Sequence, residues 1–170
     1  MKQRVREAAF NLVGKRVVGT HVIDLFAGTG ALTWEAISRG ARSATLIERH
    51  FPSARVLREN ASALGVLQQV EVVTSDTFFW ARKLAPQQLS PEPGQPWLVF
   101  CSPPYELFIS QTDPLMELIA QLIDLAPPGS CFVVEADQRF DASRLPGPGP
   151  WDVRTYPPAV LALRETSDSQ

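Results

Sequence analysis

The sequence predicts an α/β fold: a mostly parallel sheet with helices on both faces and one antiparallel strand near its edge. Three observations carry this. An apolar run, Val22, Ile23, Leu25 and Phe26, breaks into a glycine loop at Gly28 and Gly30 and then into a helix. Strand-like and helical segments go on alternating down the chain, the order expected of parallel strands joined by crossover helices. The two final strand-like runs lie too close together to enclose a helix, so that pair is expected to be antiparallel.

Each element has a local reason. Val5, Ala8, Ala9, Leu12 and Val13 fall on one side of a basic, amphipathic N-terminal helix over residues 1–16. After the first strand, Gly28 and Gly30 let the backbone adopt conformations closed to other residues and approach a ligand closely. Ala31 to Arg39 reads as a helix ended by Gly40, and this strand–turn–helix step opens a nucleotide-type binding unit. Ala44 to Glu48 is a second strand, and Phe51 to Leu64 a helix ending at Gly65. Val70 to Thr74 is a third strand, with a helix from about Asp76 to Leu84. Pro86 to Pro96, rich in proline, glutamine and glycine, is a surface loop. Trp97 to Cys101 is the fourth strand, and Asp113 with Pro114 supplies an N-cap and first-turn proline for the next helix. Ser130 to Ala136 is a fifth strand whose near-continuous apolar character implies burial on both faces. Leu145 to Pro150 is a proline- and glycine-rich loop before the closing strands, Trp151 to Tyr156 and Val160 to Leu163. Residues 1–165 are expected to form a single domain, with 166–170 a polar tail.

At 170 residues the chain is long enough to bury roughly 70% of its unfolded surface in one core. Hydrophobic residues make up 45% and charged residues 20%, and the net charge is -2, so no global positive field marks a nucleic-acid binder. Charge is nonetheless uneven. Lys2, Arg4, Arg6, Lys15 and Arg16 face only Glu7 near the start, and Arg39, Arg42, Arg49, Arg55 and Arg58 gather around the first crossovers. Such clusters are commonly solvated helix faces. Cys101 and Cys131 lie in apolar strand-like runs and read as buried free thiols of a cytoplasmic protein. No signal peptide, membrane span or metal-ligand spacing is expected.

In such a sheet, ligands bind at the carboxyl ends of the strands, where strand order reverses. Asp24 with Gly28 and Gly30, then Glu48, Asp76 and the run Ser102-Pro103-Pro104-Tyr105 follow four successive strands. A carboxylate at Glu48 suits a ribose diol, the alternative being a surface ion pair with Arg49 or Arg55. NAD would fit that much, but Thr33 stands where the dinucleotide fingerprint has its third glycine. Asp76 either caps the following helix, with Ser75 as a competing cap, or contacts an adenine amino group. Two successive prolines remove two backbone donors, so the Ser102 and Pro103 carbonyls can point outward as acceptors. Tyr105 beside them offers a face for stacking a base. Acceptors next to an aromatic platform are what a flipped base with an exocyclic amine requires.

Taken together, these residues resemble the class I S-adenosylmethionine-dependent methyltransferases that modify exocyclic amines of bases. More narrowly, the chain resembles the bacterial family that methylates the N2 amine of a guanine in small-subunit (16S) ribosomal RNA. The resemblance runs through Arg4-Val5-Arg6-Glu7-Ala8-Ala9-Phe10-Asn11, Asp24 to Gly30 with Glu35-Ala36, Glu48-Arg49, Arg58-Glu59-Asn60 and Pro103-Pro104-Tyr105. It implies a Rossmann-like seven-stranded sheet and S-adenosyl-L-methionine as cofactor. The loop of Asp24, Phe26, Ala27, Gly28, Thr29 and Gly30 would hold the methionine part. Glu48, with Arg49 beside it, would hold the ribose, and Asp76 with Thr77 would lie by the adenine. Tyr105 would stack on the target guanine, while Ser102 and Pro103, ahead of Pro104, receive its amine. The partner would be ribosomal RNA or the small ribosomal subunit, met by a monomer, with no metal.

Two departures stand out. The family has Asp, and related adenine enzymes Asn, where this chain has Ser102, whose hydroxyl accepts a hydrogen bond but is shorter and neutral. The family also begins with a basic hairpin that helps grip RNA, whereas this sequence opens almost at Arg4-Val5-Arg6-Glu7. Rival readings are methylation of an adenine N6 amine and a cofactor-binding module in ribosome assembly that has lost catalysis. His21 and His50 have no partner at catalytic spacing and read as structural. Trp34, Phe78, Phe79 and Trp80 read as helix-face core or cofactor-pocket wall. Glu135 either reaches the cleft or pairs with Arg139.

Overall fold

The computed structural model describes residues 1–84 and 89–167. Among them a seven-stranded sheet runs in the order β3-β2-β1-β4-β5-β7-β6. The strands are β1 His21–Asp24, β2 Ser43–Glu48, β3 Val70–Thr74, β4 Trp97–Cys101, β5 Cys131–Asp137, β6 Asp152–Tyr156 and β7 Ala159–Glu165. β1 pairs in parallel with both β2 and β4, so the order reverses beside β1 and opens a crevice at its carboxyl end. β7 is antiparallel to both β5 and β6, which makes it the one reversed strand, next to the edge.

Side chains alternate across the sheet and sort its two cores. Val22, Leu46, Leu98, Phe100 and Val133 meet Phe10 and Val13 of α1 (Gln3–Val13), Leu32 of α2 (Ala31–Ser38) and Leu57 of α3 (Phe51–Ala63). Ile23, Leu25, Ile47, Val99 and Val134 meet Ala81 of α4 (Thr77–Arg82), Phe108 of α5 (Leu107–Ser110) and Leu115 and Leu122 of α6 (Thr112–Leu125). Phe10 and Phe100 pack with ring centroids 5.7 Å apart, locking α1 to the middle of the sheet. Cys101 and Cys131 are buried free thiols, one in each core.

Gly40 and Gly65 end α2 and α3 as their positions predict. Gly40 N–H bonds Ile37 O at 3.1 Å and Ala41 N–H bonds Ala36 O at 3.0 Å; Gly65 and Val66 repeat the pattern on Ser62 and Ala61. These paired bonds satisfy carbonyls that a helix end leaves open.

Several boundaries differ from expectation. The first helix stops at Val13, because Gly14 at φ 57 leaves the helical region and residues 14–17 form a 3₁₀ turn holding Lys15 and Arg16. α6 begins at Thr112, so Asp113 lies inside the first turn and Gln111 precedes the helix. The short helix α5, directly after Tyr105, was not legible in the sequence. In the loop before β4, residues 86–88 lie outside the described residues. Leu89 nonetheless reaches the core and Gln95 is buried, bonding Gly19 O through its side-chain amide at 3.1 Å, so this loop is anchored as well as exposed. In the C-terminal tail, residues 168–170 lie outside the described residues.

Candidate active site

The carboxyl ends of β1, β2, β4 and β5 and the start of α4 enclose a cleft of about 610 Å³. Of the residues singled out from sequence, Phe26, Gly28, Thr29, Glu48, Arg49, Asp76, Thr77 and Ser102 to Tyr105 line it. Asp24, Ala27 and Gly30 are buried.

The floor begins at Asp24, which ends β1 and is fully buried. Thr33 Oγ1 donates to its Oδ2 at 2.9 Å, while Oδ1 has no partner. Thr33, standing where a dinucleotide fold would place glycine, is thus the hydroxyl that steadies this carboxyl. Burial pushes the Asp24 carboxyl up to about 6, opposed by the bond from Thr33 and reinforced by the nearby charge of Glu48.

Glu48, at the end of β2, accepts the Gly28 N–H at 2.8 Å on one oxygen and the His50 N–H at 2.8 Å on the other. Neither of the alternative ion pairs forms: among the described residues Arg49 is exposed in the cleft wall and Arg55 pairs with Glu59 at 2.9 Å. A carboxylate has about four acceptor sites, so Glu48 retains capacity for a ligand diol. Gly28, at φ 55, has open space where a side chain would stand. Gly30, at φ 78, has none, since a Cβ there would lie 2.6 Å from Trp34 Nε1.

The far wall comes from α4. Asp76 is its N-cap, accepting Phe79 N–H at 2.9 Å, whereas Ser75 donates to the Asp76 carbonyl and does not cap. Thr77 Oγ1 donates to Leu25 O at 2.5 Å, tying α4 to the chain just beyond β1. Phe78 lines the cleft with Phe26, ring centroids 6.4 Å apart, while Phe79 points outward beneath Lys83. The expectation of a core Phe79 therefore fails, because its place on this short helix turns it to solvent.

On the opposite wall the Pro104 carbonyl is taken by Leu107 N–H at 3.0 Å, as the chain turns into α5. The carbonyls of Ser102 and Pro103 accept nothing from the described residues. Ser102 Oγ and Tyr105 Oη, the latter at 3.0 Å, both donate to the carboxylate of Glu135. Glu135 therefore reaches the cleft, and Arg139 pairs with Asp137 instead. Burial, then the charge of Glu135 and the bond to it, raise the Tyr105 phenol to about 12, so it remains a donor at neutral pH. The sequence signal for Glu135 is a single carboxylate after four apolar residues of a buried strand.

The histidines take structural places. His21 is buried between Ser43 Oγ at 2.7 Å and Thr45 Oγ1 at 3.0 Å, and burial lowers it to about 4. His50 is exposed at the start of α3, with Ser53 Oγ at 2.8 Å. Among the described residues no group of metal-binding side chains forms, and no helix is long and apolar enough to cross a membrane.

A protein-family model described as Conserved hypothetical protein 95 matches residues 1–148. The chain belongs to this family. Relatives include the Ribosomal RNA small subunit methyltransferase D of Escherichia coli K12, 34% identical over 124 residues, covering 72% of this chain and 58% of that protein. The protein of the same name from Buchnera aphidicola (Acyrthosiphon pisum) is 31% identical over 103 residues, 60% of this chain and 49% of its own. The chain thus spans about half the length of the curated relatives it matches. Among solved structures, Escherichia coli yhhF superposes with a TM-score of 0.75 at 27% identity, over 99% of this chain and 89% of that one. An RNA methyltransferase from Salinibacter ruber in complex with S-adenosyl-L-homocysteine has the same fold, with a TM-score of 0.68 at 18% identity over 100% and 95%. The fold of this family member is the Rossmann-like fold of methyltransferases.

Proposed function

We propose that this protein transfers a methyl group from S-adenosyl-L-methionine to the exocyclic N2 amine of a guanine in small-subunit ribosomal RNA. The observation that carries it is the meeting, in one cleft, of a Gly28–Glu48 cradle and a Ser102–Tyr105 acceptor wall. The names of the family's relatives support the choice of RNA.

The residues fit the cofactor. A volume of about 610 Å³ suits a ligand of that size, for which sites run to about 300–1,000 Å³. Glu48 would accept from the ribose diol, Phe78 would flank the adenine beside Asp76 and Thr77, and the loop from Asp24 through Phe26, Ala27, Gly28 and Thr29 to Gly30 would hold the methionine part. Arg49 borders the ribose end. The unpartnered Oδ1 of buried Asp24 leaves acceptor capacity beneath that loop. When bound, the cofactor supplies an electrophilic methyl group on a sulfonium.

The chain's own residues position the nucleophile. Tyr105 stacks on the guanine, and Ser102 with the open carbonyl of Pro103, fixed by the rigid Pro103-Pro104 step, accepts its N–H groups. The amine is thereby held in line with the methyl, and its nitrogen is favoured to become pyramidal as the new bond forms. Lys2 and Arg49 line the cleft and would meet RNA phosphates.

The test is transfer of labelled methyl from S-adenosyl-L-methionine to small ribosomal subunits lacking guanine methylation, followed by nucleoside analysis. Labelled N2-methylguanosine is expected. Label in N6-methyladenosine, or none at all, would overturn this reading.

A further inference from the structure

We infer that Ser102 and Glu135 form one acceptor unit, in which the Glu135 carboxylate acts through the Ser102 hydroxyl on the amine being methylated. This inference rests on the methyl-transfer reading of the same site.

A serine hydroxyl alone is a poor guide for an amine, because it rotates and can present its proton as readily as its lone pairs. Here the rotor is fixed. Ser102 Oγ donates to Glu135, which turns its proton away from the cleft and leaves its lone pairs for an incoming N–H. The sheet builds this contact: β4 and β5 are parallel neighbours with Cys101 opposite Val134, so Ser102 and Glu135 are the next positions along each strand.

Glu135 is 4% exposed, and among the described residues it has no cation partner; its two oxygens are held by the hydroxyls of Ser102 and Tyr105. A carboxylate in that setting is costly to bury, and packing does not require it, since β5 is otherwise apolar from Cys131 to Val134. Its two contacts both belong to the acceptor wall. Negative charge therefore stands behind Ser102, in the place where an aspartate at position 102 would carry it directly.

The step balances through these groups. The amine lone pair forms the N–CH3 bond while the S–CH3 bond breaks and its electron pair stays on sulfur. The proton released from nitrogen passes to Ser102 Oγ as the Ser102 proton passes to Glu135. From Glu135, which lines the cleft, it leaves to solvent. Glu135 is thus a positioning residue and proton acceptor acting through Ser102.

The experiment compares the natural protein with Glu135→Gln, Ser102→Ala and the double variant Ser102→Asp/Glu135→Gln. The first readout needs no RNA: the ratio of dissociation constants for S-adenosyl-L-homocysteine and for sinefungin, whose ammonium stands where the methyl would be. A preference for sinefungin of roughly 10-fold is expected in the natural protein, from a charge-assisted bond to the acceptor unit. Glu135→Gln and Ser102→Ala should abolish it while S-adenosyl-L-homocysteine binds as before, and the double variant should restore it. In the second readout, Glu135→Gln lowers kcat by about 10²-fold with KM for RNA unchanged, and the double variant recovers most of the loss. A sinefungin preference and kcat that survive Glu135→Gln overturn the inference, as does a double variant no better than Glu135→Gln alone. Ser102→Ala, which cuts the same bond without altering β5, carries the test if Glu135→Gln fails to fold. If the natural protein methylates no guanine, the functional reading falls, yet an analogue preference that follows Glu135 still upholds the acceptor unit. Undiminished guanine methylation by Glu135→Gln has the opposite meaning.

Discussion

The Glu48 carboxylate accepts the backbone N–H of Gly28 at 2.8 Å, joining the end of β2 to the glycine loop that follows β1. Its other oxygen takes the His50 N–H at 2.8 Å, so one side chain shapes two turns at the cleft. Glu48→Gln keeps the size but exchanges one acceptor oxygen for an NH2 group. One of the two N–H groups then faces a donor, and the ribose loses an anionic acceptor. Hydrogen bonds to charged groups contribute about 1.5–3 kcal/mol, so the affinity for S-adenosyl-L-methionine should fall roughly 10- to 100-fold. Isothermal calorimetry on the variant reads this directly, and an unchanged dissociation constant would remove Glu48 from the cofactor site.

The two glycines of the loop should separate by experiment. At Gly30 an added Cβ lies 2.6 Å from Trp34 Nε1 and 2.7 Å from Leu57 Cδ2, on a backbone at φ 78. Gly30→Ala should therefore cost about 2–4 kcal/mol of stability, from left-handed strain and overpacking together. At Gly28 the φ is 55 but the space is open. Gly28→Ala should cost only about 1–2 kcal/mol while its methyl group fills the cleft and weakens cofactor binding. Denaturant unfolding and calorimetry on both variants test the contrast; equal stability losses would contradict it.

How much of this was legible in the sequence follows the physics of each part. Trp97 to Cys101 and Val70 to Thr74 were bounded correctly because their apolar runs are flanked by turn residues, and Gly40 and Gly65 marked helix ends by a left-handed conformation few residues share. The cleft residues on strand ends were legible because strand ends must meet at the crevice. What stayed hidden depends on partners distant in the chain. Thr33 looked like a missing glycine until Asp24 was beside it, and Glu135 could not be assigned without the β4–β5 register. Helix α5, only four residues long, has too little sequence for any periodicity to show.

Asp24 and His21, at the two ends of β1, should give stability opposite pH dependences. Burial raises Asp24 from 3.8 to about 6, so the folded state holds a proton that the unfolded chain has released. That group's contribution is present below pH ~4 and is lost as pH rises through about 6. Burial lowers His21 from 6.5 to about 4, so the unfolded chain binds the proton first, and stability is lost as pH falls below 6.5 toward 4. Each shift is worth on the order of 3 kcal/mol, and across pH 4 to 6 the two slopes largely cancel. Unfolding midpoints should be nearly flat there for the natural protein. Asp24→Asn should make stability rise with pH, and His21→Asn should make it fall. Parallel curves for all three proteins would refute the assignment.

Tyr105 serves two tasks that two substitutions divide. Its ring lines the cleft, and its hydroxyl donates to Glu135 at 3.0 Å. Tyr105→Ala removes the stacking face; base–aromatic stacking is worth about 1–3 kcal/mol, so kcat/KM for RNA should drop roughly 10- to 100-fold, mainly through KM. Tyr105→Phe keeps the face but leaves one Glu135 oxygen without its donor. The bond from Ser102 Oγ to Glu135 stays in place, so KM for RNA holds while kcat changes less than about 10-fold. Steady-state kinetics with limiting RNA, with cofactor affinity measured in parallel, separates the two. If Tyr105→Ala and Tyr105→Phe lose activity equally, the hydroxyl rather than the ring carries the role, and stacking on the base is refuted.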